Sequence, residues 1–381
     1  MKTKVNIIVF GKFHAFDLAS FLYKQGYLKN LITSFPVYKV HEVDKRIPKD
    51  KIKSFFILEI ISRGLKKLNL SSQKIDDYIK LIFQKMSLNF ISEKDINIIW
   101  AGNGFHLLKK LPNNINIIER HSIHVKNENK LLIEELNNFN KSYSFNIENI
   151  NSQLLEYDLA NYIVTPSNYV KKSFSNYKKN YHKTFVNPLG CDISTFRRVE
   201  KKDNKFRVIS CGIASYRKGI QYLLKAFIEL EKQLDIEWWH LGNVSNEINE
   251  LFIKTNSKNI YLKGNINKFD LFKFYSQGSV FVLPSIDDGF GMVILEAMAC
   301  GLPVICSENT GIRDILTSNG AEGYIIPIRN SERIKEKIKF LYENENIRDE
   351  MSKRALQHVN ENFSWNNYGD RYSKFLDTIS N

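Results

Sequence analysis

The chain has 381 residues, 43% of them hydrophobic, and a formal charge of +14; this exceeds the length one hydrophobic core usually organises and points to two domains. No run reaches the roughly 18 uninterrupted apolar residues of a membrane-crossing helix, and Cys191, Cys211, Cys300 and Cys306 form neither a CxxC pair nor a disulfide or zinc spacing, so they read as reduced core residues of a cytoplasmic protein. Residues 1–200 hold 31 Lys/Arg against 18 Asp/Glu and the remainder 24 against 23, a one-sided basic field that suits nucleic acid, an anionic membrane or a phosphorylated substrate, with a solvated lysine-rich surface as the plainer alternative.

The opening "MKTKVNIIVFGKFHAF" has its apolar run cut by Gly11 and Lys12 and reads as a first strand, not a signal peptide. Further strands are expected at 31–35, 96–101, 115–120 and 162–167, with helical periods between them at 73–91 and 128–138. The stretch "PKDKIKSFFILEIISRGLKKLNL" (48–70) is basic at both ends and apolar between. Such a piece either lies on an anionic interface or packs on its own domain with its lysines outward. The polar break "RRVEKKDNK" (197–205) separates the halves. Beyond it the alternation restarts with "FRVISCG", "IEWWHLG", "NIYLKG", "SVFVLPS", "LPVICS" and "GYIIP" as strands, and with helices at 219–233, 267–277, 291–300 and 330–343. Alternating strands and helices imply an α/β protein of doubly wound parallel sheets.

The densest stretch is "PSIDDGFGMVILEAMACGLPV" (284–304), which reads as strand end, glycine loop and helix. In doubly wound sheets ligands sit at the carboxyl ends of strands, and the amide-rich start of a following helix suits phosphate. Gly289 and Gly291 would let the backbone come close. Glu296 is a lone carboxylate on an apolar helix face, costly unless partnered, and a ribose diol would satisfy it; a Glu turned to solvent is the alternative. Upstream, Arg217 and Lys218 stand between a strand and the helix opened by Gly219, a pairing that would neutralise a diphosphate.

These pieces, "GIASYRKG", "GNINKFDLFKFYSQGSVFVLPSIDDGFGMVILEAMACGLPVICSENTG" and "FSWNNYGDRYSKFL", resemble the nucleotide-sugar-binding domain of family 4 retaining glycosyltransferases (glycosyl transferases group 1). In the first half "GKFHAFDLASFL", "ERHSIHVKNENKLLIEE" and "NPLGCDISTF" resemble the same family, so the likeness is nearly full length. It implies a GT-B fold: two Rossmann-like domains facing a central cleft, residues 1–198 for the acceptor and 199–363 for the donor, with 364–381 as a helix packing back on the first. It also implies a hexosyltransferase acting in surface polysaccharide or lipopolysaccharide synthesis. Glu296 would then hold the donor ribose, while Arg217, Lys218, Gly11 and amides near Phe290, Gly291, Met292 and Val293 hold the diphosphate. Asp288 and His124 would orient the sugar, with His121 the rival histidine.

Two departures from the family pattern stand out. Asp288 replaces its usual Glu, one methylene closer to the backbone, and Gly212-Ile213 replaces its frequent Gly-Arg. The implied partners are a nucleotide sugar, a glycan or lipid-linked acceptor and an anionic membrane face, with peripheral attachment at the inner leaflet. Two cations and a helix end would stand in for a metal, no His/Asp cluster shows metal-ligand spacing, and no cofactor is expected. The rivals are an epimerase or phosphorylase of the same build and a basic nucleic-acid binder, the latter without a recognised motif. A dehydrogenase is disfavoured because "VFGKFHAFD" is not G-x-G-x-x-G.

Overall fold

The computed structural model describes residues 3–68, 70–142 and 146–380. The first sheet contains β1 (Val5–Val9), β2 (Leu28–Thr33), β3 (Ile52–Ser54), β4 (Ile96–Trp100), β5 (Ile115–Glu119), β6 (Tyr162–Thr165) and β7 (Thr184–Val186), in the order β3-β2-β1-β4-β5-β6-β7. The second contains β8 (Phe206–Cys211), β9 (Ile236–Leu241), β10 (Ile260–Leu262), β11 (Val280–Leu283), β12 (Val304–Ser307) and β13 (Gly323–Ile326), in the order β10-β9-β8-β11-β12-β13. Every pairing within the two sheets is parallel. This is the architecture expected of apolar strands separated by helical crossovers, since a parallel sheet must be covered on both faces. The chain order reverses between β1 and β4 in one sheet and between β8 and β11 in the other, which places a crevice at the carboxyl ends of those strands.

The apolar residues of the central strands in the first sheet are mostly aliphatic, a pattern that specifies burial but not register. Register is set by a ladder of asparagines. Asn30, Asn6, Asn97 and Asn116 occupy β2, β1, β4 and β5 at matched positions. Asn30 Nδ2 donates to Asn6 Oδ1 at 3.0 Å, Asn6 Nδ2 to Asn97 Oδ1 at 3.1 Å, and Asn97 Nδ2 to Asn116 Oδ1 at 3.0 Å. All four are buried, so a one-residue slip would strand several amides in apolar surroundings.

The terminal helix Trp365–Ser380 returns to the first domain and lies on the Ala15–Lys24 helix. The contact is close because Gly369 has no side chain; a Cβ there would stand 2.1 Å from the Phe21 ring. Tyr372 donates to Glu119 Oε1 at 2.5 Å and Tyr27 to Asp377 at 2.6 Å, tying the middle and the C-terminal turn of the helix to the first domain.

Replacing Asn97 with Val should lower the free energy of unfolding by about 2 kcal/mol, on the order of what unsatisfied neighbours cost when a buried partner is removed. An unchanged urea midpoint would contradict the register role.

Candidate active site

β11 ends at Leu283, and the chain turns through Ser285–Gly291 into the Met292–Ala299 helix. Gly291 begins that helix at φ +89°, a conformation side chains resist. The first amides of the helix, at Met292 and Val293, lack partners within it by the geometry of any helix start. Gly289 is required for a different reason: its backbone runs against the loop after β5, and a Cβ would sit 1.8 Å from the His121 carbonyl oxygen. Ser167 donates to the Gly289 carbonyl at 2.7 Å and Tyr169 donates to Asp287 Oδ1 at 3.0 Å, so the glycine loop is held jointly by both domains.

Lys218 reaches Asp288 Oδ2 at 2.5 Å. Burial raises the Asp288 carboxyl, but the charge and hydrogen bond of Lys218 outweigh it and hold the group below the usual carboxylate range. Arg217, on the same short turn after β8, lies 3.5 Å from Asp287 Oδ2 and 4.0 Å from Glu128 Oε1 of the first domain. Burial and the nearby Glu128 push Asp287 up to about 6, against the pull of Arg217. Gly219, at φ +67°, lets this turn pass under the carbonyl of Pro284; a Cβ would be 1.9 Å from that oxygen. Gly212, at φ +113° after β8, faces open space.

Glu296 is 8% exposed, so its carboxylate does not face bulk solvent. One partner is Tyr275, whose hydroxyl donates to Oε2 at 3.4 Å, a long bond. Burial raises the group to about 7, partly offset by Lys268 and by that bond. A carboxylate in this position is under-partnered and suited to a ligand that brings hydroxyl donors.

Gly11 closes β1 at φ +121°, with its carbonyl accepting from Thr33 Oγ1 at 2.8 Å. It therefore stands at the carboxyl edge of the first sheet. Phe290 is buried in the core, and its N–H points at Asp288 Oδ1 at 3.4 Å.

The histidine assignment is corrected. His124 has no exposed surface and starts the Val125–Asn137 helix, its Nδ1 facing the Lys126 N–H at 3.4 Å. Its ring stacks on Tyr177 at 3.6 Å and meets Phe174 and Tyr157 edgewise or tilted. It is buried among aromatic side chains of the first domain. His121 is the residue beside the glycine loop. Its Nε2 is 3.0 Å from Glu119 Oε2 and its ring meets His14 edge-on at 4.3 Å.

Folding also assembles a group that no spacing in the sequence announced. His14, Glu119 and His121 bring one ligand atom each to within 4.8 Å of one another. Two imidazoles and a carboxylate are a donor set able to hold a divalent cation, and this is the one such grouping among the described residues. Burial and the neighbouring His121 push His14 down to about 3, burial and Arg120 do the same to His121, and burial pushes Glu119 up to about 7. Trp100, Trp365 and Tyr368 surround the cluster. Of its members only His121 was singled out by sequence; His14, three residues past Gly11, and Glu119, two before His121, carried no signal of their own.

A cavity of about 910 Å³, lined in part by Lys201, Phe206, Ser279 and Arg348, opens at the amino ends of β8 and β11. It lies at the opposite end of the second sheet from these groups.

Residues 192–358 match the family model of glycosyl transferases group 1. The glycine loop, Lys218 and Glu296 all fall inside that segment. The chain is 32% identical over 169 residues to a capsular polysaccharide biosynthesis glycosyltransferase, CapM, of Staphylococcus aureus, covering 42% of this chain and 43% of that one. It spans about half the length of the curated relatives it matches. Over 99% of both chains its fold is similar to that of sucrose-phosphate synthase from Thermosynechococcus elongatus, with a TM-score of 0.75 at 15% identity. HepE of Anabaena, in complex with UDP and glucose, gives a TM-score of 0.71 at 14% identity, covering 99% of this chain and 100% of that one. The fold is that of two Rossmann-like parallel-sheet domains, the GT-B arrangement of these neighbours.

Gly289→Ala should lower the melting temperature, because its methyl group would overlap a backbone carbonyl that no rotamer change can move. Glu296→Gln tests the buried carboxyl. Its folded pKa lies above the ordinary value of 4.5, so the fold favours the neutral form. Wild type should therefore lose stability relative to the glutamine variant as pH rises from about 4.5 to about 7, with no further divergence above. Parallel melting curves across that range would count against the burial argument.

Proposed function

We propose that the chain is a retaining hexosyltransferase that moves a sugar from a nucleoside diphosphate, UDP or GDP, to a glycan or lipid-linked acceptor of a cell-surface polysaccharide. The observation that carries the reading is the Lys218–Asp288 pair at the carboxyl ends of β8 and β11, set beside the start of the Met292–Ala299 helix with buried Glu296 behind it. The group 1 match over 192–358 and the description of the fold neighbour HepE with UDP and glucose support it.

In this reading Glu296 accepts both hydroxyls of the donor ribose, which relieves its under-partnered burial. Arg217, Lys218, Gly11 and the amides at Phe290, Gly291, Met292 and Val293 receive the diphosphate. Asp288 faces the sugar, with Lys218 shared between it and phosphate. His121, at the loop touching Gly289, takes the place beside the sugar for which His124 is too deeply buried.

Transfer is a same-face substitution. The bond from C1 to the phosphate oxygen breaks, the acceptor oxygen bonds C1, and the acceptor proton passes to the leaving phosphate. The departing nucleoside diphosphate keeps the electron pair. The growing charge falls on Lys218, Arg217 and the helix start, which are already in place, so little reorganisation is needed. No step is routed through a metal ion. The basic first half, with 31 cationic against 18 anionic side chains in residues 1–200, would attract an acceptor held at an anionic membrane face.

Thermal melting across UDP-, GDP- and ADP-sugars tests the reading. One nucleotide class should raise the melting temperature, by an amount equivalent to about 2.7 kcal/mol at a hundredfold excess over its Kd. Glu296→Ala should abolish that rise and keep the fold; no response to any donor overturns the proposal.

A further inference from the structure

Three neighbouring strands of the first sheet, β1, β4 and β5, end at one edge, and the residues that close or follow them meet there. His14 lies in the turn after β1, Trp100 closes β4, Glu119 closes β5, and His121 is two residues further on. His14 precedes the Ala15–Lys24 helix without capping it, so its ring is not spent on the helix start. Glu119 Oε2 and His121 Nε2 stand 3.0 Å apart, yet Glu119 Oε2 has no hydrogen-bond partner among the described residues: the two atoms are close without being aligned. His14 Nε2 is likewise buried and unpartnered among those residues. So are Trp100 Nε1 and the Tyr368 hydroxyl, which belong to rings packed on His14 at 5.2 and 5.8 Å.

Polar atoms orphaned together in one buried place are costly, and they differ in kind. The carboxylate and the imidazoles offer lone pairs, whereas the tryptophan N–H can only donate. A cation takes the lone pairs, and a water bound to that cation accepts from the donors. Two imidazoles and one carboxylate suit Zn²⁺ and its neighbours Co²⁺ and Ni²⁺, not Mg²⁺ or Ca²⁺, which take shells of oxygen. The three ligand atoms already lie within 4.8 Å of one another. Ligands of a tetrahedral ion lie about 3.3 Å apart, so the side chains need to close by about 1.5 Å at most. The second layer is built as well. Tyr372 donates to Glu119 Oε1 at 2.5 Å and leaves Oε2 free, the arrangement that orients a ligating carboxylate, and the Trp365 ring stacks on His14 at 5.9 Å.

We propose that His14, Glu119 and His121 bind one zinc-class divalent cation, with water in its remaining position. The ion fastens the turn after β1 to the loop after β5 and, through Tyr372 and Trp365, to the terminal helix. Because the His121 carbonyl rests against Gly289, it also fixes the first-domain side of the contact between the domains. Coordination uses one nitrogen of His121 and leaves the other uncoordinated. The sugar-transfer step does not pass through the ion, and the inference does not rest on the transferase reading.

The test uses the whole protein, stripped with EDTA and then dialysed against Zn²⁺. Metal analysis should find one zinc per chain, and the melting temperature should rise with zinc and fall back with chelator. Co²⁺ in place of Zn²⁺ should give visible d–d absorption without the near-ultraviolet thiolate band of a cysteine site, and added Zn²⁺ should abolish it. This spectrum is read on wild type and so does not depend on any variant folding. His14→Phe and Glu119→Gln, each with an unchanged far-ultraviolet circular dichroism spectrum, should weaken zinc binding by more than about 100-fold, since losing a ligand exceeds the cost of losing an outer partner. Absence of bound metal, a thiolate band, or undiminished zinc affinity in either folded variant each overturns the proposal; the first assigns the orphaned atoms to ordered water. Zinc uptake by a chain that responds to no nucleotide sugar would overturn the transferase reading and leave the ion in place.

Discussion

The approach of one backbone to another, Gly289 against the His121 carbonyl, is the constraint on which the rest of the site depends. The two strands of chain come from different domains, and no side chain larger than hydrogen fits between them. Around that contact the Ser167 hydroxyl, the Tyr169 hydroxyl and the Tyr169 N–H bond to Gly289, Asp287 and Asp314. Residues presented by the two sheets thus reach one another without relying on long flexible side chains, and preorganisation of that kind is what electrostatic catalysis requires.

A second seam lies further from the glycine loop. Glu135, fully buried on the Val125–Asn137 helix, accepts from Arg329 Nε at 2.6 Å, Gln221 Nε2 at 2.8 Å and the Tyr222 hydroxyl at 2.9 Å, all from the second domain. A buried carboxylate this fully partnered fixes an orientation, because moving any partner leaves a charge unsatisfied. The terminal helix adds a third tie through Tyr372 and Glu119. The three seams act on different elements, so the relative placement of the sheets is determined at several points.

Within this frame the carboxylates divide by environment. Asp288 has a cation in contact and stays ionised; Glu296, Glu119 and Asp287 are pushed upward chiefly by burial. Such groups are unstable as bare charges and find their complement in hydroxyl donors, cations or protons. Such perturbed groups near the strand ends mark a candidate functional site.

Much of the fold was legible in the amino-acid sequence because apolar periodicity and glycine position are local quantities. The central strands, the glycine turn at 289–291, and the placement of Lys218, Asp288 and Glu296 on strand–loop–helix units follow from short stretches read in isolation. The edge strands β3 and β7 are only three residues each and carry no period to detect. Register was not readable from aliphatic runs, and the asparagine ladder that sets it is visible only once strands distant in the chain lie side by side. Choosing between His121 and His124 was beyond local reading as well. Three residues apart, they differ in whether the chain turns them toward the other domain or into an aromatic cluster, and that depends on packing by Tyr157, Phe174 and Tyr177. The same is true of His14 and Glu119, a hundred positions apart in sequence, and of Ile57 and Ile60, exposed on a helix whose amphipathic pattern states that one face is apolar but not which way it points. Sequence determined the elements and their chemistry, because those depend on neighbours along the chain; tertiary structure decided partners, burial and direction, because those depend on neighbours in space.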